Sequence, residues 1–94
     1  MVEHKLKIKS EYFSAVINGT KTAEIRYNDR NYQVGDILIL NEIDEHSNFT
    51  GNSCQVVVTH ILDDSEYFKT GYVMLSFHML NVKRLRKSWK INTK

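Results

Sequence analysis

Proline is absent from this 94-residue chain, a feature with no evident physical cause. A single cysteine, Cys54, excludes an internal disulfide, and its place in the strand-like run 54–58 marks a small buried hydrophobe rather than a nucleophile. No unbroken apolar run exceeds residues 37–40, whereas a membrane-spanning helix needs about 20 residues. The first residues, Met1, Val2, Glu3, His4 and Lys5, lack the apolar core of a signal peptide, so a cytoplasmic location is expected. The glycosylation patterns at Asn18 and Asn48 are then chance matches. His4, His46, His60, His78 and Cys54 show no short ligand-like spacing, so neither a metal nor another cofactor is expected.

What is present fits one small domain. The hydrophobic fraction of 41% and charged fraction of 26% are far from the low-hydrophobicity signature of disorder. Charge is uneven: residues 1–80 carry seven Lys/Arg against eleven Asp/Glu, a balance of −4, while residues 81–94 carry six Lys/Arg and no acid. A basic tail on a mildly acidic body suits contact with a polyanion, although solubility alone would also account for it.

Strict alternation over residues 4–9, with His4, Leu6 and Ile8 opposite three lysines, predicts a half-buried first strand. Ser10 is a candidate N-cap, and the i,i+4 pairs among Tyr12, Phe13, Val16 and Ile17 predict a helix over residues 10–18, ended by Gly19. Residues 22–27 alternate again, Ala23, Ile25 and Tyr27 against Glu24 and Arg26, as a second strand. A tight turn at Val34, Gly35 and Asp36 feeds a third strand over 37–40, whose continuous apolar run predicts burial on both faces. A polar loop over 44–52 leads to a fourth strand over 54–62, pairing back antiparallel on the third, and a fifth spans 71–77, extendable to Leu80. Five short strands with one early helix predict an α+β, mainly β domain over residues 1–80, curled into a closed or nearly closed barrel. Residues 81–94 read as a basic amphipathic helix with Val82, Leu85 and Trp89 as its stripe.

Chemistry concentrates between Gly19 and Arg26, where a helix stop is followed by Lys21, Glu24 and Arg26. Glu24 and Arg26 share one strand face and Lys21 sits in the preceding turn, a trio suited to a phosphate or a base edge. The spacing G-x-K-x-x-E-x-R, with Gly19, Lys21, Glu24 and Arg26, resembles the hallmark of ASCH domains, which are PUA-like β-barrels. Residues 4–8, Tyr12 and Phe13, the run 26–30 and the segment 32–38 extend the likeness, over about residues 3–78, to a small ASCH-related family of phages and bacteria with no established activity. The resemblance implies a five-stranded barrel with the helix across one mouth. It also implies RNA, nucleotide or modified-nucleoside recognition in a cleft between helix and barrel, lined by Lys21, Glu24 and Arg26.

Small ASCH amidohydrolases that act on acylated cytidine nucleosides supply an alternative, with Lys21 and Glu24 as the catalytic pair. Here Glu24 stands where those enzymes place threonine, and the distal acid has only Asp63, Asp64 and Glu66 as candidates. Arg30 is a second-rank ligand contact, with local turn chemistry at Asp29 and Arg30 the competing reading. Tyr72 is a candidate base-stacking residue or a packing aromatic. Lys83, Arg84, Arg86 and Lys87 are candidate nucleic-acid contacts of the tail, competing with simple docking of its apolar stripe on the barrel. The favoured reading is a binding module for RNA or a nucleotide, with no membrane contact; a protein-interaction domain is a further alternative.

Overall fold

The computed structural model describes residues 1–64 and 66–85. Their elements are β1 (Glu3–Lys9), α1 (Ser10–Ile17), β2 (Ala23–Tyr27), β3 (Ile37–Ile43), β4 (Phe49–Leu62) and β5 (Tyr72–Lys83). One five-stranded sheet results, ordered β1-β3-β4-β5-β2. β1 runs parallel to β3, and the other neighbours pair antiparallel. The sheet curls into a half-barrel, so the mainly β architecture expected from the alternation is the one observed. β1 and β2, joined through the helix, are its two edge strands.

The register defines the concave face. His4 pairs with Leu38 and Leu6 with Leu40, and Leu38 and Leu40 in turn oppose Val56 and Cys54. Leu6, Leu38, Leu40, Val56 and Cys54 form one buried cluster with Ile8, Val58, Val73, Leu75 and Phe77, closed over by Phe13 and Val16 of α1 and by Tyr32. Cys54 is sealed inside it, as its β-branched surroundings imply, and burial, aided by the negative charge of Glu24, pushes its thiol up to about 11. β3 is an interior strand: Leu38 and Leu40 are buried inward, while Ile37 is buried and Ile39 half-buried on the other face.

Several boundaries move. Ser10 is the first helical residue and not the cap; Lys9 holds the cap position without a side-chain bond, and Ser10 Oγ donates instead to the Ile43 carbonyl, 3.0 Å, tying the helix start to β3. Gly19 does end the helix, at φ 86°, with its N–H donating to the Val16 carbonyl. The loop expected over 44–52 is confined to residues 44–48, where the Asp44 carboxylate accepts the backbone N–H groups of His46 and Asn48; β4 therefore starts at Phe49. β5 runs through Lys83, paired with Ser53, so residues 81–83 extend a strand where a helix was expected. Main-chain pairing across β4 outweighs a three-residue stretch of helical periodicity there. Residues 84 and 85 have no regular secondary structure, and the rest of that expected helix, with Arg86, Lys87 and Trp89, lies outside the described residues.

The connection between β2 and β3 is built around Asp36. A turn closed by Asp36 N–H to the Gln33 carbonyl, 3.1 Å, with Gly35 at φ 94°, confirms the expected tight turn. The buried Asp36 carboxylate accepts from His4 Nε2 at 2.8 Å, from Gln33 N–H at 3.0 Å and from Val2 N–H at 3.2 Å. Burial pushes its carboxyl up, but these three bonds outweigh that and hold it below its ordinary value. His4, edge-on to Tyr32 at 4.8 Å, is thus a structural residue of β1.

Candidate functional site

β2 is the strand on which the charged segment lies, and its facing follows from its partner. Glu24 pairs with Leu75 and Arg26 with Val73. Cross-strand partners share a face, so both charged side chains point to the concave side that carries the core. Ala23, Ile25 and Tyr27 oppose Ser76, Met74 and Tyr72 on the outer side, where Ile25 and Tyr27 are 56% and 55% exposed. The period-2 pattern was legible, but an alternation alone does not say which face is inward.

Glu24 and Arg26 form an ion pair, Arg26 Nε donating to Glu24 Oε2 at 2.5 Å, with side chains only 13% and 25% exposed for Glu24 and Arg26 respectively. The pair is therefore largely enclosed and not a solvent-exposed surface contact. Arg26 also reaches across to the other sheet edge, where its Nη2 donates to the Lys7 carbonyl at 2.7 Å. Arg30 does the same one step along, Nη1 to the Lys5 carbonyl at 3.0 Å, and its contact with Asp29 is long, 3.9 Å. Two arginines thus stand where main-chain bonds between β1 and β2 would close the barrel. Beside them Tyr32 is buried, which pushes its hydroxyl up against the opposing influence of Arg26 and Arg30.

Between the two edges lies an open cleft of about 740 Å³. Lys7 and Lys9 line it from β1, Tyr12 from α1, Lys21 from the turn, Glu24 and Arg26 from β2, and Tyr27 and Tyr72 from its outer rim. Four cations face one carboxylate. Lys21 is positioned by its own N–H, which donates to the Ala15 carbonyl at the helix end, 3.0 Å, and its Nζ lies 5.3 Å from the centre of the Tyr12 ring. Tyr72 meets Tyr27 edge-on at 5.4 Å.

The structure brings Lys21, Glu24, Arg26 and Tyr72 to this one cleft. Arg30 is engaged with the β1 backbone and does not line it. Asp63, Asp64 and Glu66 do not line it either. Lys83 and Arg84 lie exposed at the opposite end of β5 from Tyr72. Lys7, Lys9, Tyr12 and Tyr27 are the cleft residues that spacing did not single out. Lys7 and Lys9 read as the solvent face of a strand, and nothing in the chain's local pattern says that this strand ends up facing β2. Tyr12 and Phe13 divide: Phe13 is core, while Tyr12 is exposed in the cleft.

Residues 3–77 match the family described as a domain of unknown function, DUF3850. An uncharacterised 12.9 kDa protein in the GpA 3′ region of Escherichia phage P2 is 40% identical over 72 residues, 77% of this chain; the match covers 64% of the phage protein's length. In the crystal structure of hypothetical protein PH0355 the same fold recurs, with a TM-score of 0.55 and 16% identity over 85% of this chain and 100% of that one.

Proposed function

This chain belongs to the DUF3850 family, and we propose that it is an RNA- or nucleotide-binding module of the ASCH, PUA-like kind, its ligand held in the cleft between β1 and β2. The composition of that cleft carries the reading: Lys7, Lys9, Lys21 and Arg26 against Glu24, with Tyr12, Tyr27 and Tyr72 around them. Cations meet phosphates and aromatic rings meet bases, the pairing that single-stranded nucleic-acid sites use. The lysines of β1 and of the turn are the phosphate contacts. Arg26 is a positioning residue, because its Nε and Nη2 are already engaged by Glu24 and by the Lys7 carbonyl.

The test is a titration of the full chain and a Lys7→Ala, Lys21→Ala double variant with short mixed-sequence oligoribonucleotides at several salt concentrations. Each lost phosphate contact removes about 0.7 from the slope of log affinity against log salt for a single strand. The double variant is expected to bind at least tenfold more weakly, with a shallower slope. Equal binding by the two proteins would remove the cleft as the site.

A further inference from the structure

We infer that Glu24 is the specificity determinant of this cleft and selects bases that present an amino group, cytosine, adenine or guanine, over uracil. The inference rests on the nucleotide-binding reading of the same site. Its starting point is how the carboxylate is held. Oε2 takes the Arg26 Nε hydrogen, and Arg26 is in turn fixed by Nη2 to the Lys7 carbonyl on the opposite sheet edge. The acid is therefore oriented by a guanidinium anchored at both ends of its reach. Oε1 has no hydrogen-bond partner among the described residues, and Glu24 lines the cleft.

An ion-paired carboxylate accepts hydrogen bonds and donates none. It complements an exocyclic amino group, as acidic side chains do when they accept from the N4 amine of cytosine. The uracil edge offers one ring N–H between two carbonyl oxygens, and those oxygens oppose a carboxylate. The Lys7, Lys9 and Lys21 ammonium groups do not discriminate, since phosphate is common to all nucleotides. The outer tyrosines do not either, because every base has a face to stack on. Glu24 is the carboxylate, and so the strong acceptor without a donor, among the residues that line the cleft, so selectivity for the base edge falls to it. Removing the negative charge while keeping the shape, as glutamine does, adds an N–H₂ donor and makes the site tolerant of a carbonyl edge.

The experiment measures affinities of the wild type and Glu24→Gln for cytidine, adenosine, guanosine and uridine homo-oligomers of equal length at one salt concentration, with urea unfolding to establish that the variant is folded. The wild type is expected to bind at least one of the amino-bearing oligomers about tenfold or more tightly than oligouridine, as a good base contact provides. In Glu24→Gln that ratio falls towards one, chiefly through improved oligouridine binding. Equal wild-type affinity for all four oligomers overturns the inference while leaving the binding module intact. A ratio that survives in the folded Glu24→Gln variant assigns discrimination to another residue and overturns it too. If none of the four binds, the nucleotide-binding reading fails, and the role of Glu24 fails with it.

Discussion

β5 and β2 lie side by side, paired from Ala23 with Ser76 to Tyr27 with Tyr72, yet their inner faces follow opposite chemistry. β5 presents Val73, Leu75 and Phe77, all buried in the core. β2 presents Glu24 and Arg26 in the same plane, and its large apolar residues face outward. The difference marks where the hydrophobic core stops. An interior strand has neighbours on both edges and must exclude water from its concave side; β2 has one neighbour, and its free edge borders the cleft. Arg26, reaching to β1, turns that free edge into a bounded site rather than a gap.

The largest expected effect tests the core side of this boundary. Leu75→Ala deletes a fully buried side chain and should cost about 3 kcal/mol, within the range of such truncations, read as a lower urea midpoint. Its partner across the strands, Glu24→Ala, removes one member of a largely enclosed ion pair but leaves an arginine that still bonds the Lys7 carbonyl, and should cost about 1.5 kcal/mol, well below the core truncation. Similar losses from the two substitutions would erase the distinction between the strands.

Asp36 sharpens the contrast from another direction, since it is an acid with three donors rather than one. Asp36→Ala leaves His4 and two backbone N–H groups without their acceptor and should cost about 2 kcal/mol. Because the folded carboxyl is held below its ordinary value, its stabilisation is present above the unfolded pKa and is lost as pH falls through the folded value. Unfolding curves taken down through the carboxylate range should therefore show wild-type stability dropping, and the gap to Asp36→Ala narrowing. A gap that stays constant with pH would rule out the linkage.

A smaller effect is expected where β2 and β5 meet the outer tyrosines. Gly71 has φ 88°, and a Cβ there would lie 2.6 Å from the Tyr27 ring. Gly71→Ala should cost roughly 1 to 2 kcal/mol from the left-handed backbone and displace Tyr27 from Tyr72, visible in the near-ultraviolet circular dichroism. An unchanged aromatic signal would mean that the ring contact does not depend on this turn. Smallest is the effect of a thiol reagent on the native protein. Cys54 is buried with its thiol pushed up to about 11, so alkylation at neutral pH should proceed only on unfolding. Rapid native labelling would show that the concave face is open at β4 as well as at β2.

Much of the fold was legible because it is local or periodic. Alternation identified the strands, Gly19 the helix stop and Gly35 the turn, each through backbone preferences that act within a few residues. Cys54 was readable as core from its neighbours. The charged trio stood out by density, and the resemblance it carries agrees with the half-barrel observed. Less legible were the ends: Asn81 to Lys83 join β5 through pairing partners distant in the chain, which leave no short-range pattern, and Phe49 starts β4 early by pairing with Ile43 across the short loop.

By itself the sequence determined the types of the elements up to residue 80, the glycine turns and the residues that share each strand face, since these depend on dihedral preferences and a two-residue period. Only the tertiary structure decided that Glu24 and Arg26 face inward, that Lys7 and Lys9 border the same cleft, and that Arg26 and Arg30 bridge the sheet edges. Those outcomes depend on which strands become neighbours and in what register. That choice is made by burying one continuous apolar face, a property of the whole chain and of no single segment.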